Sequence, residues 1–481
     1  MKATSIFGGV QVIVILIGII KTKFIAIWLG TTGVGIIGLL NAPLGIITTL
    51  TGMGLSISAV REISEANGSG EELRIATTIK TLRRWVWFTG LLGMGITILS
   101  APLLSNWSFG DFTYTWAFIF LSVTLLLTDI NTGQKILLQG MRRIKHLAQA
   151  TIIGAFLGLI ISLPLYYYYG IYGIVPSLII AAFSSLLLSW YYSRKINIIP
   201  IHNTYRDSYK DGLRMVKFGI ILTFSGLIGT LIRYLISIYI SRTGGIDQVG
   251  LYQAGFTLIT GYVGIVFTAM STDYFPRLAG TKNNIECSEL INQQIEIAIL
   301  IITPICVALT ISLPIVIKVL YSDDFSAIIP MLEWVLIAVI VKTIVWAIGF
   351  LFLAKADFAT SFKANNIMNI FLLFGYIGMY SIMGLQGIGI AEFILYCFGL
   401  LICFFFAQKK YNFRLNKNTI EISIISFIIA FSVFIVLKVL ERNIISYIFS
   451  ISLLIILSLF SIKNLNKRLD IISLLSKYNS P

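Results

Sequence analysis

The sequence predicts an all-α polytopic membrane protein of about 14 transmembrane helices, and three observations predict it. Apolar residues make up 57% of the 481 and charged residues 12%, with a mean hydropathy of +0.90. A soluble chain of this size would need far more polar surface. The apolar letters arrive in runs of roughly 20, the number that crosses a hydrocarbon core of about 30 Å. The runs are solid and not alternating, and in lipid only helices or closed barrels satisfy their own backbone, so helices are expected.

Fourteen runs fit. They lie at about residues 6–29, 34–60, 85–105, 113–140, 147–168, 171–192, 216–241, 249–275, 291–320, 326–354, 364–383, 385–407, 420–440 and 443–462. Charge orients them. With the N-terminus inside, most basic residues fall on the inner side, among them Arg83, Arg84, Arg142, Arg143, Arg194, Lys195, Lys409 and Lys410. The outer side holds little beyond Arg242 and Arg442. This positive-inside pattern puts both termini in the cytoplasm and accounts for the net charge of +15 as membrane orientation. No basic cluster sits on a soluble domain, which argues against a nucleic-acid partner. Cys287, Cys306, Cys397 and Cys403 show no CxxC spacing, so neither a disulfide framework nor a metal site is expected.

An internal repeat organises the runs. Residues 30–42 read GTTGVGIIGLLNA and residues 242–254 read RTGGIDQVGLYQA. At an offset of 212, Thr31, Gly33, Gly38, Leu39 and Ala42 match Thr243, Gly245, Gly250, Leu251 and Ala254. Both segments form the outer turn between the first two helices of a six-helix block. The expected organisation is therefore a first lobe at 1–195 with helices 1–6, and a second at 196–410 with a basic linker and helices 7–12. Two further helices and a tail follow at 411–481.

Ionisable groups at mid-bilayer cost roughly 2.5–3.5 kcal/mol each on insertion scales, so each needs a partner, a cavity or a task. The offset carries Lys21 onto Arg233, on the first helix of each lobe. Gly226, Thr230, Arg233 and Ser237 form one polar stripe at helical spacing, and Thr124, Thr128, Asn131, Lys135 and Gln139 form another. These stripes nominate Lys21, Lys135 and Arg233 as cations sharing one cavity, lined also by Thr128, Asn131, Thr230 and Ser237. Such a cavity suits an anionic substrate, since low dielectric strengthens each attraction and Arg forks onto phosphate oxygens. Asp129 lies off the second stripe, beside Thr132. The same offset maps Arg61 onto Asp273, opposite charges at equivalent inner helix ends, and nominates them as an inner gate.

Four segments carry a family resemblance: VGLYQAG at 249–255, DYFPRLAG at 273–280, AKADF at 354–358 and GLQGIGIAE at 384–392. With them the chain resembles the bacterial polysaccharide (O-antigen-type, Wzx-like) flippases of the multidrug/oligosaccharidyl-lipid/polysaccharide exporter superfamily, and is similar to the lipid III flippases. The resemblance implies a V-shaped two-lobe fold working by alternating access. It also implies an undecaprenyl-pyrophosphate-linked oligosaccharide moving from the inner to the outer leaflet of the bacterial inner membrane. By position it gives the pyrophosphate to Lys21, Lys135 and Arg233. It implies coupling to a proton or sodium gradient, with Asp129, Glu333 and Glu392 as the available carboxylates, and no other cofactor. A polysaccharide polymerase and a chain-length regulator are the implied protein partners.

Two other readings compete. A multidrug or organic-cation antiporter of the same superfamily would favour carboxylates and aromatics in its cavity. A membrane glycosyltransferase or polymerase would need a sizeable outer loop with paired acid/base residues, and the outer loops are too short. No GxxxxGK[ST] segment is present for ATP-driven transport.

Overall fold

The computed structural model describes residues 2–201 and 204–469, and all its regular structure is helical. The helices are α1 (Lys2–Gly52), α2 (Leu55–Ser69), α3 (Glu72–Phe109), α4 (Thr115–Gly140), α5 (Ile144–Tyr169), α6 (Ile174–Ser193), α7 (Tyr205–Gly244) and α8 (Ile246–Leu258). After a π-helical turn at Ile259–Val263 come α9 (Gly264–Gly280), α10 (Asn284–Leu320), α11 (Ile329–Ala354), α12 (Phe358–Tyr411), α13 (Lys417–Val439) and α14 (Ile444–Leu469). Two residues of the basic linker, 202 and 203, lie outside the described residues. Its second half is the start of α7, capped by Thr204, whose hydroxyl accepts from the Asp207 amide.

Among the described residues, ten helical stretches are long and apolar enough to cross a membrane, three of them with 44, 50 and 54 residues. Those three exceed twice the roughly 20 residues one crossing takes, and each is interrupted at a glycine. Gly30 (φ 63, ψ −163) breaks α1 and Gly384 (φ 59, ψ −143) breaks α12. Gly170 (φ 54, ψ −130) opens the 3-10 turn between α5 and α6. That backbone region is essentially closed to residues with a β-carbon.

Contacts divide the chain into two compact units, Met1–Leu251 with Leu320–Asp324, and the remainder. α7, which the repeat assigns to the second lobe, packs on α1, α2 and α3 within the first unit. Helices in lipid gain no hydrophobic drive from each other, so close packing of small residues holds them. In the first unit α5 offers the stripe Ala150, Gly154, Gly158 and Ser162. A β-carbon on Gly154 would stand 3.3 Å from Ser185 Cα, and one on Gly158 would stand 3.4 Å from Ala181 Cβ.

In the second unit, α13 and α14 are attached by two ion pairs whose carboxylates are buried. Arg442, in the turn before α14, bonds Glu333 of α11 at 2.7 Å and the Thr310 carbonyl at 3.2 Å. Arg468, in the last turn of α14, pairs with Glu296 of α10, which also accepts from Thr419 of α13 at 2.6 Å. The AKADF segment has a local task as well. Asp357 caps α12 through the Thr360 amide and binds Lys410 at 2.8 Å and Tyr411 at 2.9 Å. The Lys410 ammonium holds its carboxyl well below the usual carboxylate range.

Glycine contacts recur along the chain, in a register different from the one expected. Gly245 (φ 87, ψ 172) repeats the Gly30 break 215 residues later. A β-carbon on Gly35 would meet the Ile246 carbonyl, and one on Gly250 would meet the Thr31 carbonyl, so the contacts are reciprocal at that same offset. At the other end of each block, Gly173 presses on Leu165 and Tyr166 as Gly387 presses on Met379 and Tyr380, an offset of 214. The expected offset of 212 is three residues short. It aligned Gly33 with Gly245, where the backbone aligns Gly30. Lys21 then corresponds to Ile236 and Arg61 to Pro276, and neither predicted charge pairing survives as a symmetry relation.

Candidate functional site

The first unit holds a cavity of about 460 Å³ walled by α1, α3, α4 and α7. Its floor is a helix break. Met53 (φ 48) and Gly54 (φ 66) interrupt the helix between α1 and α2, and Gly52, Gly54, Leu55 and Ser56 line the space. Non-helical backbone at membrane depth is tolerated where it lines a cavity, and unwound carbonyls there can coordinate a small cation. Thr48, Thr49, Thr89, Thr132, Thr223 and Thr230 add hydroxyls. Thr49 donates to the Gly45 carbonyl at 2.7 Å and Thr230 to the Gly226 carbonyl at 3.1 Å. Their protons are spent on their own helices, which leaves acceptor oxygens for whatever enters.

Asp129 supplies the charge. Thr89 lies within hydrogen-bonding reach, and no basic group of the described residues pairs with the carboxylate. An acceptor-rich pocket around one unpaired carboxylate can hold a proton or a hard cation bound by oxygens. Asp129, Thr132 and Ile136 share a face of α4 at helical spacing. The stripe picked out in the sequence lies about 100° around the helix and leads elsewhere. Thr128 is exposed, Asn131 is buried with its carboxamide oxygen unpaired, and neither is on the wall. Ser237 is buried and donates to the Arg233 carbonyl at 3.0 Å, also off the wall. Thr230 is on it. The contributions of Thr48, Thr49 and Thr89 have no charged neighbour in sequence to draw attention to them.

The three predicted cations do not converge on one point. Lys135 lines a separate space of about 260 Å³ between α1, α4 and α5, shared with Gln11, Gln139 and Thr151. Lys21 lies ten residues along α1 from Gln11, about 15 Å at the helical rise, and does not line that space. Lys21 instead approaches the Tyr166 ring of α5, 6.0 Å from its centroid. Arg233 is exposed, one turn beyond Thr230. Counted from the paired glycine turns, Lys21 lies about 14 Å and Arg233 about 18 Å along their helices, nearly one helical turn apart.

The other nominated carboxylates have partners. Glu333 is bound by Arg442 as described, and Glu392 accepts a short hydrogen bond from Tyr376. Arg61 pairs with Glu65 at 2.7 Å in the first unit, and Asp273 pairs with Arg277 at 3.2 Å in the second, each one helical turn along.

With the geometry established, comparison with known proteins adds a family. The family described as "Polysaccharide biosynthesis protein" matches residues 1–282, more than half of the chain. The chain belongs to the polysaccharide biosynthesis protein family. A relative named "Putative O-antigen transporter" from Shigella flexneri is 25% identical over 318 residues, covering 65% of this chain and 74% of its own. The "Lipid III flippase" of Escherichia coli (strain K12) is 19% identical over 352 residues, covering 71% and 82%. Among solved structures, the lipid II flippase MurJ in an inward closed conformation superposes with a TM-score of 0.66 at 14% identity, covering 97% of this chain and 99% of its own. An inward-facing multidrug resistance MATE transporter of the MOP superfamily gives 0.65 at 15% identity, covering 82% and 94%. This polysaccharide biosynthesis protein is thus a multi-pass membrane protein with the fold of the MurJ and MATE transporters, and its family is one of transporters and flippases, not enzymes.

Proposed function

We propose that this polysaccharide biosynthesis protein is a flippase. It carries an undecaprenyl-pyrophosphate-linked oligosaccharide, an O-antigen or related repeat unit, from the inner to the outer leaflet of the bacterial inner membrane. The observation that carries this reading is coverage. The lipid II flippase fold accounts for 97% of the chain, whereas the drug-transporter folds account for 82–85%. A drug antiporter leaves part of the chain without a counterpart.

The chain crosses the membrane fourteen times, twice in each of the three glycine-broken stretches, with α7 as a further span and both termini cytoplasmic. The two blocks work by alternating access. Lys21 and Arg233 hold the diphosphate, and Lys135 meets it nearer the cytoplasm. Fixed cations replacing the water around a diphosphate lower a barrier that bare hydrocarbon makes prohibitive. Arg61 and Asp273 exchange their local partners for each other when the inner mouth closes. Asp129 is the coupling carboxylate, because Glu333 and Glu392 are already engaged and Asp129 has acceptor oxygens and an unwound backbone around it.

Expression in a strain lacking its own O-antigen flippase tests the reading. Surface polysaccharide returns with the wild-type chain and fails with Lys21→Ala or Arg233→Ala, with all three proteins inserted at equal levels. Full surface polysaccharide from both variants overturns the cation assignment. Failure of the wild type to restore any repeat unit, joined to drug efflux from the same cells, overturns the flippase.

A further inference from the structure

Apart from the Asp129 cavity, the first unit carries two adjoining hollows at the end richest in basic residues. One, of about 220 Å³, lies between α3, α4 and α6 and is lined by Arg83, Trp87, Gln134, Trp190 and Arg194. The other, of about 520 Å³, shares Arg83 and Trp87 and continues along Phe88, Leu91 and Tyr209. Three features distinguish this pair from ordinary surface relief.

The first is uncompensated charge. Among the described residues neither Arg83 nor Arg194 has a carboxylate partner; Arg194 lies over the Trp190 ring, 4.3 Å from its centroid. Both guanidiniums are exposed and line one small space, where a shared anion would offset their mutual repulsion. Arg84, by contrast, is committed to structure. It bonds the Thr204 carbonyl and the Ser208 hydroxyl, each at 2.7 Å, and stacks over Tyr205.

The second is an unmet polar group. Gln134 is only 8% exposed, and its carboxamide oxygen has no hydrogen-bond partner. A buried carboxamide left unpaired costs about 1–3 kcal/mol. Gln134 also lines the smaller hollow, and a carboxamide NH₂ there can donate to an anion's oxygen.

The third is the surroundings. Trp87, Phe88 and Leu91 are each about half exposed on α3. In a membrane-spanning chain such an exposed apolar face suits acyl chains, and Trp at its edge suits the headgroup level.

From these we propose that Arg83, Arg194 and Gln134 bind the phosphodiester headgroup of an anionic phospholipid, with its glycerol and upper acyl chain along Trp87, Phe88 and Leu91. The smaller hollow takes the phosphate and the larger one the apolar part. Arg forks onto phosphate oxygens, and the charge of the inner leaflet supplies such lipids where basic residues gather. Its test needs no transport.

The full-length protein, purified in a neutral detergent, is mixed with dioleoyl phosphatidylglycerol or dioleoyl phosphatidylcholine, and bound lipid is counted by native mass spectrometry. The wild type retains phosphatidylglycerol preferentially. Arg83→Gln and Arg194→Gln each lower that retention about tenfold, the scale of one charge-assisted contact, and Gln134→Leu lowers it without altering any charge. Lys145→Gln, elsewhere on the basic side, leaves it unchanged. Equal retention of the two lipids by the wild type, or undiminished phosphatidylglycerol on the Arg83→Gln/Arg194→Gln double variant, overturns the site. Complete displacement of the lipid by millimolar inorganic phosphate also overturns it, in favour of a soluble anion. Should the double variant aggregate, unchanged retention by Gln134→Leu is by itself decisive against the proposal.

Discussion

Gly35 and Gly250 meet across the paired turns of the two repeats. A β-carbon on Gly35 would stand 3.1 Å from the Gly250 amide nitrogen, and one on Gly250 would stand 3.0 Å from that of Gly35. Beside them Thr31 and Thr32 donate to the Asp247 carboxylate at 2.9 and 2.5 Å. Both glycines also face a carbonyl of the opposite turn, so backbone, and not a movable side chain, would have to give way.

Substituting Gly250 by Ala therefore forces these turns apart. Overpacking of this kind costs about 1–3 kcal/mol. Thermal unfolding in detergent is expected to fall by several degrees for Gly250→Ala and for Gly35→Ala. Gly45→Ala, where a β-carbon meets open space, is expected to leave the midpoint in place.

Asp129→Asn keeps the shape of the central cavity and removes its charge. In proteoliposomes, gradient-driven lipid translocation is expected to disappear while folding and lipid retention persist. Gradient-driven transport at the wild-type rate would exclude Asp129 as the coupling group.

Removing one partner of the Glu333–Arg442 pair strands the other in a poorly solvated site. Glu333→Ala and Arg442→Ala are each expected to cost about 3–5 kcal/mol. Replacing both residues by Leu should recover most of the loss, because a buried pair often does no better than apolar groups of similar volume. A double-mutant cycle on denaturant unfolding measures it.

Asp357 gives a pH signature. Its carboxyl is held below the unfolded value of about 3.9, chiefly by Lys410. A depressed value stabilises the fold above that pH and loses its contribution as pH falls through the folded value. Asp357→Asn, which keeps the cap and loses the charge, should melt below the wild type at pH 7. The two midpoints should draw together as pH drops below about 4. A gap unchanged down to pH 3 would remove the ion pair as its source.

If Arg61 and Asp273 form the inner gate, the reciprocal exchange Arg61→Asp/Asp273→Arg should restore more transport than either single reversal. Each single change also breaks a local pair, with Glu65 or with Arg277. The reversal Arg61→Asp/Glu65→Arg controls for that: it restores the local pair and should not restore transport.

Much of the fold was legible because its signals are local. Runs of apolar letters gave the helices, and glycines at 30, 170 and 384 fell where the chain breaks. The repeat was legible too, but its register was not. Counting identities in glycine-rich sequence favoured Gly33 over Gly30 opposite Gly245, and only backbone contact between Gly35 and Gly250 fixes it. On α4 the longer polar stripe through Thr128, Asn131 and Lys135 outweighed the shorter face of Asp129 and Thr132. Which face meets the cavity depends on where α1 unwinds, and nothing adjacent to α4 in sequence reports that. Glu333 stood out as a mid-membrane charge, but its partner lies 109 residues away, past two turns.

The two arginines flanking α14 carry a cost for any shortened chain. A protein ending at Tyr411 would do more than lack its final hairpin. It would strand Glu296 and Glu333 in hydrocarbon with their countercharges deleted, so a natural variant that dispensed with the hairpin would be expected to have neutralised both acids in step.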